Sequence, residues 1–118
     1  MKQHITKGQF ETLNNEQMLN LMNKLYSKEI KKVKYDGFNV TGIIKYGEGY
    51  LPRVSEVIQR INIGKMIEIL DSKKALTISK DSDNNSEWWV VDIAIFNKKS
   101  FCNYELVDAL WEATKEVL

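Results

Sequence analysis

The nine residues from Trp88 to Phe96 hold eight apolar side chains, broken only by Asp92, and such a run has few destinations. It is far short of the roughly 18 apolar residues that a membrane span needs. Apolar side chains on both parities predict the central strand of a sheet. Trp88 and Trp89 are adjacent, so a strand sends them to opposite sides. One indole is then core. The other needs a helix, a partner subunit or a ligand over it, or the sheet is buried on both sides.

Helix starts are written in one repeated device, a capping residue at N-cap flanked by an apolar pair at N′ and N4. Thr6 with Gln9 opens a short helix stapled by Ile5 and Phe10. Asn14 with Gln17, stapled by Leu13 and Met18, opens an amphipathic helix that carries Met18, Leu21, Met22 and Leu25 to about Tyr26. Pro52 suits the first turn of a helix with Val54, Val57, Ile58 and Ile61 on one face. Asn62 caps a further helix through Ile63, Met66, Ile67 and Leu70, ending near Asp71. Asn103 caps the last, with Cys102 and Val107 as staple, Leu110, Trp111, Thr114, Val117 and Leu118 inward, and an acidic outer face.

Between these helices, Ile30 to Tyr35 and Phe38 to Ile44 flank Asp36-Gly37 and read as a hairpin with a tight turn. Phe38 and Val40 fall on its second strand, with Gly42 placed for a bulge. Its first strand, rich in lysine, suits a sheet edge. Leu76 to Ser79 is a weak strand signal, Lys80 to Ser86 a polar loop, and Asn97 to Ser100 a turn. The order of elements predicts an α+β fold: a small antiparallel or mixed sheet with short helices packed on it and a C-terminal amphipathic helix. With 118 residues, one proline and no low-complexity linker, the chain is expected to form a single domain over 1–118.

Seventeen Lys and Arg against sixteen Asp and Glu give a formal charge of +1, which excludes partners that need a strong global field. A single cysteine, Cys102, and a single histidine, His4, leave no internal disulfide and too few ligands for a Cys/His metal cluster. A pairing of the two as nucleophile and base is outweighed by a packing role for Cys102 and a mobile N-terminus around His4. Asp81 with Asp83, and Asp108 with Glu112, read as solvated carboxylates. Neither a metal nor a cofactor is expected, and no catalytic set is. The N-terminus lacks an apolar signal segment, so a cytoplasmic protein without membrane attachment is expected.

Three surfaces are candidates for binding. Tyr46 and Tyr50 flank Gly47-Glu48-Gly49, and with Arg53 and Arg60 they offer rings and guanidinium groups to an anionic or base-containing ligand. The pair Trp88 and Trp89 offers an interface anchor, a homodimer contact included. Lys28, Lys31, Lys32, Lys34 and Lys45, interleaved with Tyr35, Phe38 and Tyr46, form a strip suited to single-stranded nucleic acid, although the same lysines would protect an edge strand.

Ile63-Gly64-Lys65-Met66-Ile67-Glu68-Ile69-Leu70 and Glu105-Leu106-Val107-Asp108-Ala109-Leu110-Trp111-Glu112-Ala113-Thr114-Lys115 resemble small uncharacterised accessory proteins of phages and prophages of Gram-positive bacteria. Those carry an I-G-x-M-I-E-x-L helix, a W-x-V segment and an E-L-x-D-A-L-W-E-A-x-K C-terminus. The likeness covers roughly residues 61–70 and 87–118 and brings no assigned chemistry. It implies a non-catalytic protein of host takeover or anti-defence, for example an anti-CRISPR. Such a protein would bind a host effector stoichiometrically or sequester a nucleotide signal in the bacterial cytoplasm. The alternative from the residues themselves is a small nucleic-acid-binding regulator using the lysine and aromatic hairpin.

Overall fold

Side chains that catch their own backbone set the helix starts in the computed structural model, which describes residues 2–26, 29–44, 47–49, 52–71, 75–94 and 97–118. The fold is α+β, with five helices and two antiparallel three-stranded sheets among the described residues. It divides into two compact units, Thr6–Arg60 with Leu118, and Met1–Ile5 with Ile61–Val117.

In the first unit, Thr6 Oγ1 accepts from Gln9 N at 3.1 Å while Gln9 Oε1 accepts from Thr6 N at 2.9 Å. This capping box opens α1, the single turn Lys7–Phe10. Asn14 and Gln17 exchange the same two bonds at 2.8 and 3.0 Å ahead of α2 (Asn15–Tyr26), which buries Met18, Leu21, Met22 and Leu25 as its spacing predicts. Each such cap is worth about 1 kcal/mol. Strands β1 (Lys32–Tyr35), β2 (Val40–Ile44) and β3 (Gly47–Gly49) follow in the order β1-β2-β3, so the lysine-bearing strand is an edge.

The hairpin differs from expectation in two places. Tyr35 pairs with Val40, leaving residues 36–39 as a four-residue connection, so Phe38 sits in the turn and not on β2. Val33 faces Gly42 and Lys34 faces Thr41 in unbroken register, so Gly42 makes no bulge. Residues 47–49, whose two glycines suit a loop, pair with β2 instead. Helix α3 (Val54–Arg60) buries Val54, Val57 and Ile58, and Pro52 lies ahead of it, not in its first turn.

The second unit begins with a segment that is held, not loose. Ile5 N donates to Ile61 O and Ile63 N to Gln3 O, His4 bridges to Asn62, and Lys2 pairs with Asp108 at 2.6 Å. Asn62 Oδ1 accepts from Lys65 N at 2.8 Å to cap α4 (Ile63–Asp71). This helix buries Met66, Ile69 and Leu70, its inward face turned from Ile67 to Ile69. Strands β4 (Ala75–Ser82), β5 (Glu87–Ala94) and β6 (Lys98–Asn103) make the second sheet, with β5 central as its apolar run predicts.

Strand β6 replaces the expected turn at 97–100. Its only apolar residue on the covered face is Phe101, half-buried opposite Val91, so an edge strand hides in a polar stretch. Cys102 lies exposed on it instead of stapling a helix. Helix α5 (Leu106–Val117) starts later than Asn103 would set it, with Asp108 N and Ala109 N donating to Glu105 O. Together α4 and α5 cover one side of the sheet, where Val91, Ile93, Leu110 and Trp111 are buried.

Candidate functional site

The hairpin turn of the first unit is built by one carboxylate. Asp36 Oδ1 accepts from Phe38 N and Asn39 N, each at 2.8 Å, and Asp36 N donates to Asn39 O. The N–H groups of Asn39 and Phe38 hold this carboxyl below the usual aspartate range. Gly37 has φ +98°, a conformation that costs a side-chain-bearing residue strain and glycine none. On the far side, Phe38 O accepts from Val54 N at 2.8 Å, and Asn39 bridges to Arg53. The turn is thereby tied to the start of α3, and the backbone of Phe38 is fixed through both its N–H and its C=O.

The ring carried by this backbone is 74% exposed, the most exposed large hydrophobic among the described residues. Lys7, set at the start of α1 by the Thr6 cap, places its ammonium 5.4 Å from the ring centroid, a cation–π contact. Lys7, Gly37, Phe38, Asn39, Arg53, Val54 and Ser55 line a hollow of about 540 Å³, within the usual span for small-molecule sites. Two cations, an amide, a hydroxyl and an aromatic ring meet there. Neither Lys7 nor Arg53 has an ion-pair partner among the described residues.

The remaining candidates separate. Lys32 and Lys34 are exposed and alternate with half-buried Val33 and Tyr35. Tyr35 packs edge-on against Phe10 at 5.4 Å and 79°, so it is no platform beside the lysines. Burial first, then the Glu11 carboxylate, raises its phenol pKa. Lys31 is exposed, its N–H donating to Ile43 O. Arg60 stacks at 4.9 Å over Tyr26, at the opposite end of α3 from Arg53. Lys28, Lys45, Tyr46 and Tyr50 lie outside the described residues.

The two tryptophans of β5 have different surroundings. Trp89 shares the helix-covered side with Val91 and Ile93, and Lys80 lies 5.1 Å from its ring. Trp88 is half-buried on the other side, where Thr77, Ser79, Asp81, Ser100 and Cys102 are exposed. It lines a second hollow of about 320 Å³ with Cys102, Asn103 and Tyr104, whose ring is 69% exposed. The sheet is thus not buried on both sides by its own unit.

His4 Nδ1–H donates to Ile5 O at 2.8 Å, while Cys102 sits in the second hollow. Asp83 closes its turn by accepting from Asn85 N and Ser86 N, and Asp108 faces Lys2. No group of three His, Cys, Asp or Glu among the described residues is arranged to hold a metal ion, and no helix among them is long and apolar enough to cross a membrane. Sequence reasoning found Phe38 and Arg53 as parts of different surfaces and missed Lys7. The Thr6 capping box that fixes Lys7 was its only signal. Comparison with protein-family models, with curated proteins and with solved structures finds no match to this chain.

Proposed function

We propose that this chain is a non-catalytic binding protein that acts stoichiometrically, with the hollow around Phe38 as its contact site. One observation carries this reading: the hollow gathers, beside an exposed ring, two cations without an ion-pair partner among the described residues, and no carboxylate, histidine or cysteine is among the described residues that line it. Ammonium, guanidinium, amide and hydroxyl groups hold an anion by charge-assisted bonds. They are not the groups that usually shuttle protons near neutral pH.

The resemblance of residues 63–70 and 105–115 to phage and prophage proteins supplies the setting: host takeover or anti-defence in a bacterial cytoplasm, as an anti-CRISPR or by withdrawing a nucleotide signal. A titration of a purified CRISPR nuclease or a nucleotide-activated effector with this protein tests it. Inhibition that reaches completion at a fixed molar ratio, with an isolable complex, supports the reading. Inhibition at a small fraction of one equivalent, with chemical change in target or ligand, overturns it.

A second reading, a nucleic-acid-binding regulator, draws on Lys32 and Lys34 sharing one exposed face of β1. Tyr35 turned away toward Phe10 leaves that strip with one fewer ring to stack bases, and an edge strand needs lysines without any ligand.

A further inference from the structure

We infer that the hollow formed by Lys7, Phe38 and Arg53 binds one nucleotide unit, its phosphate between the ammonium and the guanidinium and its base stacked on the Phe38 ring. This inference rests on the reading of the chain as a stoichiometric binder and names the chemistry of what it binds.

Four observations converge on that ligand. The first is charge. Thr6–Arg60 carries nine Lys and Arg against six Asp and Glu, whereas the rest of the chain carries eight against ten. The two cations of the hollow are without ion-pair partners among the described residues, so an entering phosphate breaks no existing pair there. Two carboxylates adjoin lining residues in sequence, and of these Asp36 is engaged by the N–H groups of its own turn while Glu56 follows Ser55 on α3 without lining the hollow.

The second is the ring. Even with Lys7 at one side, Phe38 is 74% exposed, which leaves room for a flat partner. A phenyl ring at a turn tip adds no core, and base–aromatic stacking is a use that tolerates any base. Third, the ring's backbone is tied through Asp36 on one side and Val54 on the other, so binding has to order side chains and not the turn that carries the ring. Asn39 and Ser55 add an amide and a hydroxyl for the edge of a base or sugar.

Fourth, size favours a single unit over a polymer. The hollow of about 540 Å³ is partly open and has room for one such unit, and Tyr35 stands away from the lysine face, so β1 has no successive rings along which a strand could stack. A plain anion would leave the ring without a role, and a neutral aromatic would leave the cations without one. A phosphorylated nucleoside uses both.

Calorimetry on the full chain tests the assignment with AMP, cyclic di-AMP, adenosine, inorganic phosphate and an eight-residue oligothymidylate as separate probes. AMP or cyclic di-AMP binding at one site per chain, with adenosine and phosphate each weaker by roughly tenfold or more, supports it, and the tighter of the two identifies the source of the nucleotide unit. Lys7→Ala with Arg53→Ala should weaken that binding by roughly a hundredfold. Phe38→Leu, which keeps the apolar bulk and removes the stacking face, should weaken it by about tenfold. Circular dichroism confirms that each variant folds.

Phosphate binding as tightly as AMP, or variants binding like the parent, overturns the assignment. Oligothymidylate binding most tightly and depending on Lys31, Lys32 and Lys34 overturns it in favour of a polymer. Chromatography of the ligand separates this inference from the reading beneath it. AMP recovered intact upholds both, whereas AMP converted to product upholds the site and sinks the stoichiometric reading. A stoichiometric complex with an effector, formed while no nucleotide binds, does the reverse.

Discussion

Two hollows, one in each unit, each hold an aromatic ring, exposed in Phe38 and half-buried in Trp88, and they differ in what surrounds it. Around Phe38 stand Lys7 and Arg53, and around Trp88 stand Cys102, Asn103 and Tyr104. The rings alone would make them equivalent, since either could anchor a partner. Charge separates them. A cation that is neither paired nor buried is cheap to keep and available for a desolvated anion, whereas an indole beside a thiol, an amide and a phenol offers apolar area and neutral hydrogen-bonding groups but no charge. An exposed ring therefore marks a contact surface, and its charged neighbours decide the class of ligand.

The largest effect expected from this contrast is the loss of nucleotide binding on removal of Lys7 and Arg53 together. The unfolding free energy should stay within about 0.5 kcal/mol of the parent, because exposed cations with no ion-pair partner among the described residues contribute little to stability. A urea titration beside the calorimetry would show a binding defect without a folding defect. A large loss of stability would break the contrast by making the cations structural.

Matched truncations of the two rings sharpen it further. Phe38→Ala should cost about 1–3 kcal/mol in affinity with little change in stability, because the ring is mostly in water. Trp88→Ala should do the opposite, leaving nucleotide affinity unchanged while removing half-buried apolar area worth about 1–2 kcal/mol. If Trp88→Ala weakened nucleotide binding as much as Phe38→Ala, the two hollows would not be functionally distinct.

Gly37→Ala tests whether the ring is positioned by its turn. The φ of +98° puts a side chain in strain worth about 1–2 kcal/mol, although a Cβ there would meet no atom within 4 Å. The expected outcome is a destabilised first unit and weaker nucleotide binding, both visible by calorimetry. A variant that unfolds at the parent's urea midpoint would show that the turn is free to relax.

The smallest effect is on pH dependence. Asp36 and Asp83 build turns of the same kind, and backbone N–H groups lower both pKa values, from Asn39 and Phe38 in one and Asn85 and Ser86 in the other. A carboxylate whose folded pKa is depressed contributes stability that is present above its unfolded pKa and is lost as pH falls through the lowered folded value. Amide shifts of Phe38, Asn39, Asn85 and Ser86 followed by NMR should therefore titrate with midpoints below the ordinary aspartate range. A midpoint at or above that range for Asp36 would mean its turn bonds are not held in solution.

Local devices were the legible part of the fold. Capping at Thr6, Asn14 and Asn62 could be read because donor and acceptor lie within one helical turn of each other, and the central strand β5 because its apolar run leaves no other use. Strand β6 could not be, since Lys98, Lys99 and Ser100 pair with β5 through backbone groups that every sequence carries. The site was legible in pieces. Phe38 and Arg53 each drew notice by residue type, but Lys7 joins them only because α1, the hairpin turn and α3 meet, a tertiary fact with no local signature. The turn misled for a physical reason: Asp36 accepts from two N–H groups and so closes four residues where Asp-Gly alone suggested two.

The most direct measurement is a titration of the isotope-labelled full chain with AMP, followed through its backbone amides and indole N–H groups. The account predicts saturable shifts at Lys7, Phe38, Asn39 and Ser55, with the Trp88 indole and the amides of Cys102 and Tyr104 unmoved. Shifts centred on Trp88, Cys102 and Tyr104, with Phe38 and its neighbours silent, would contradict it.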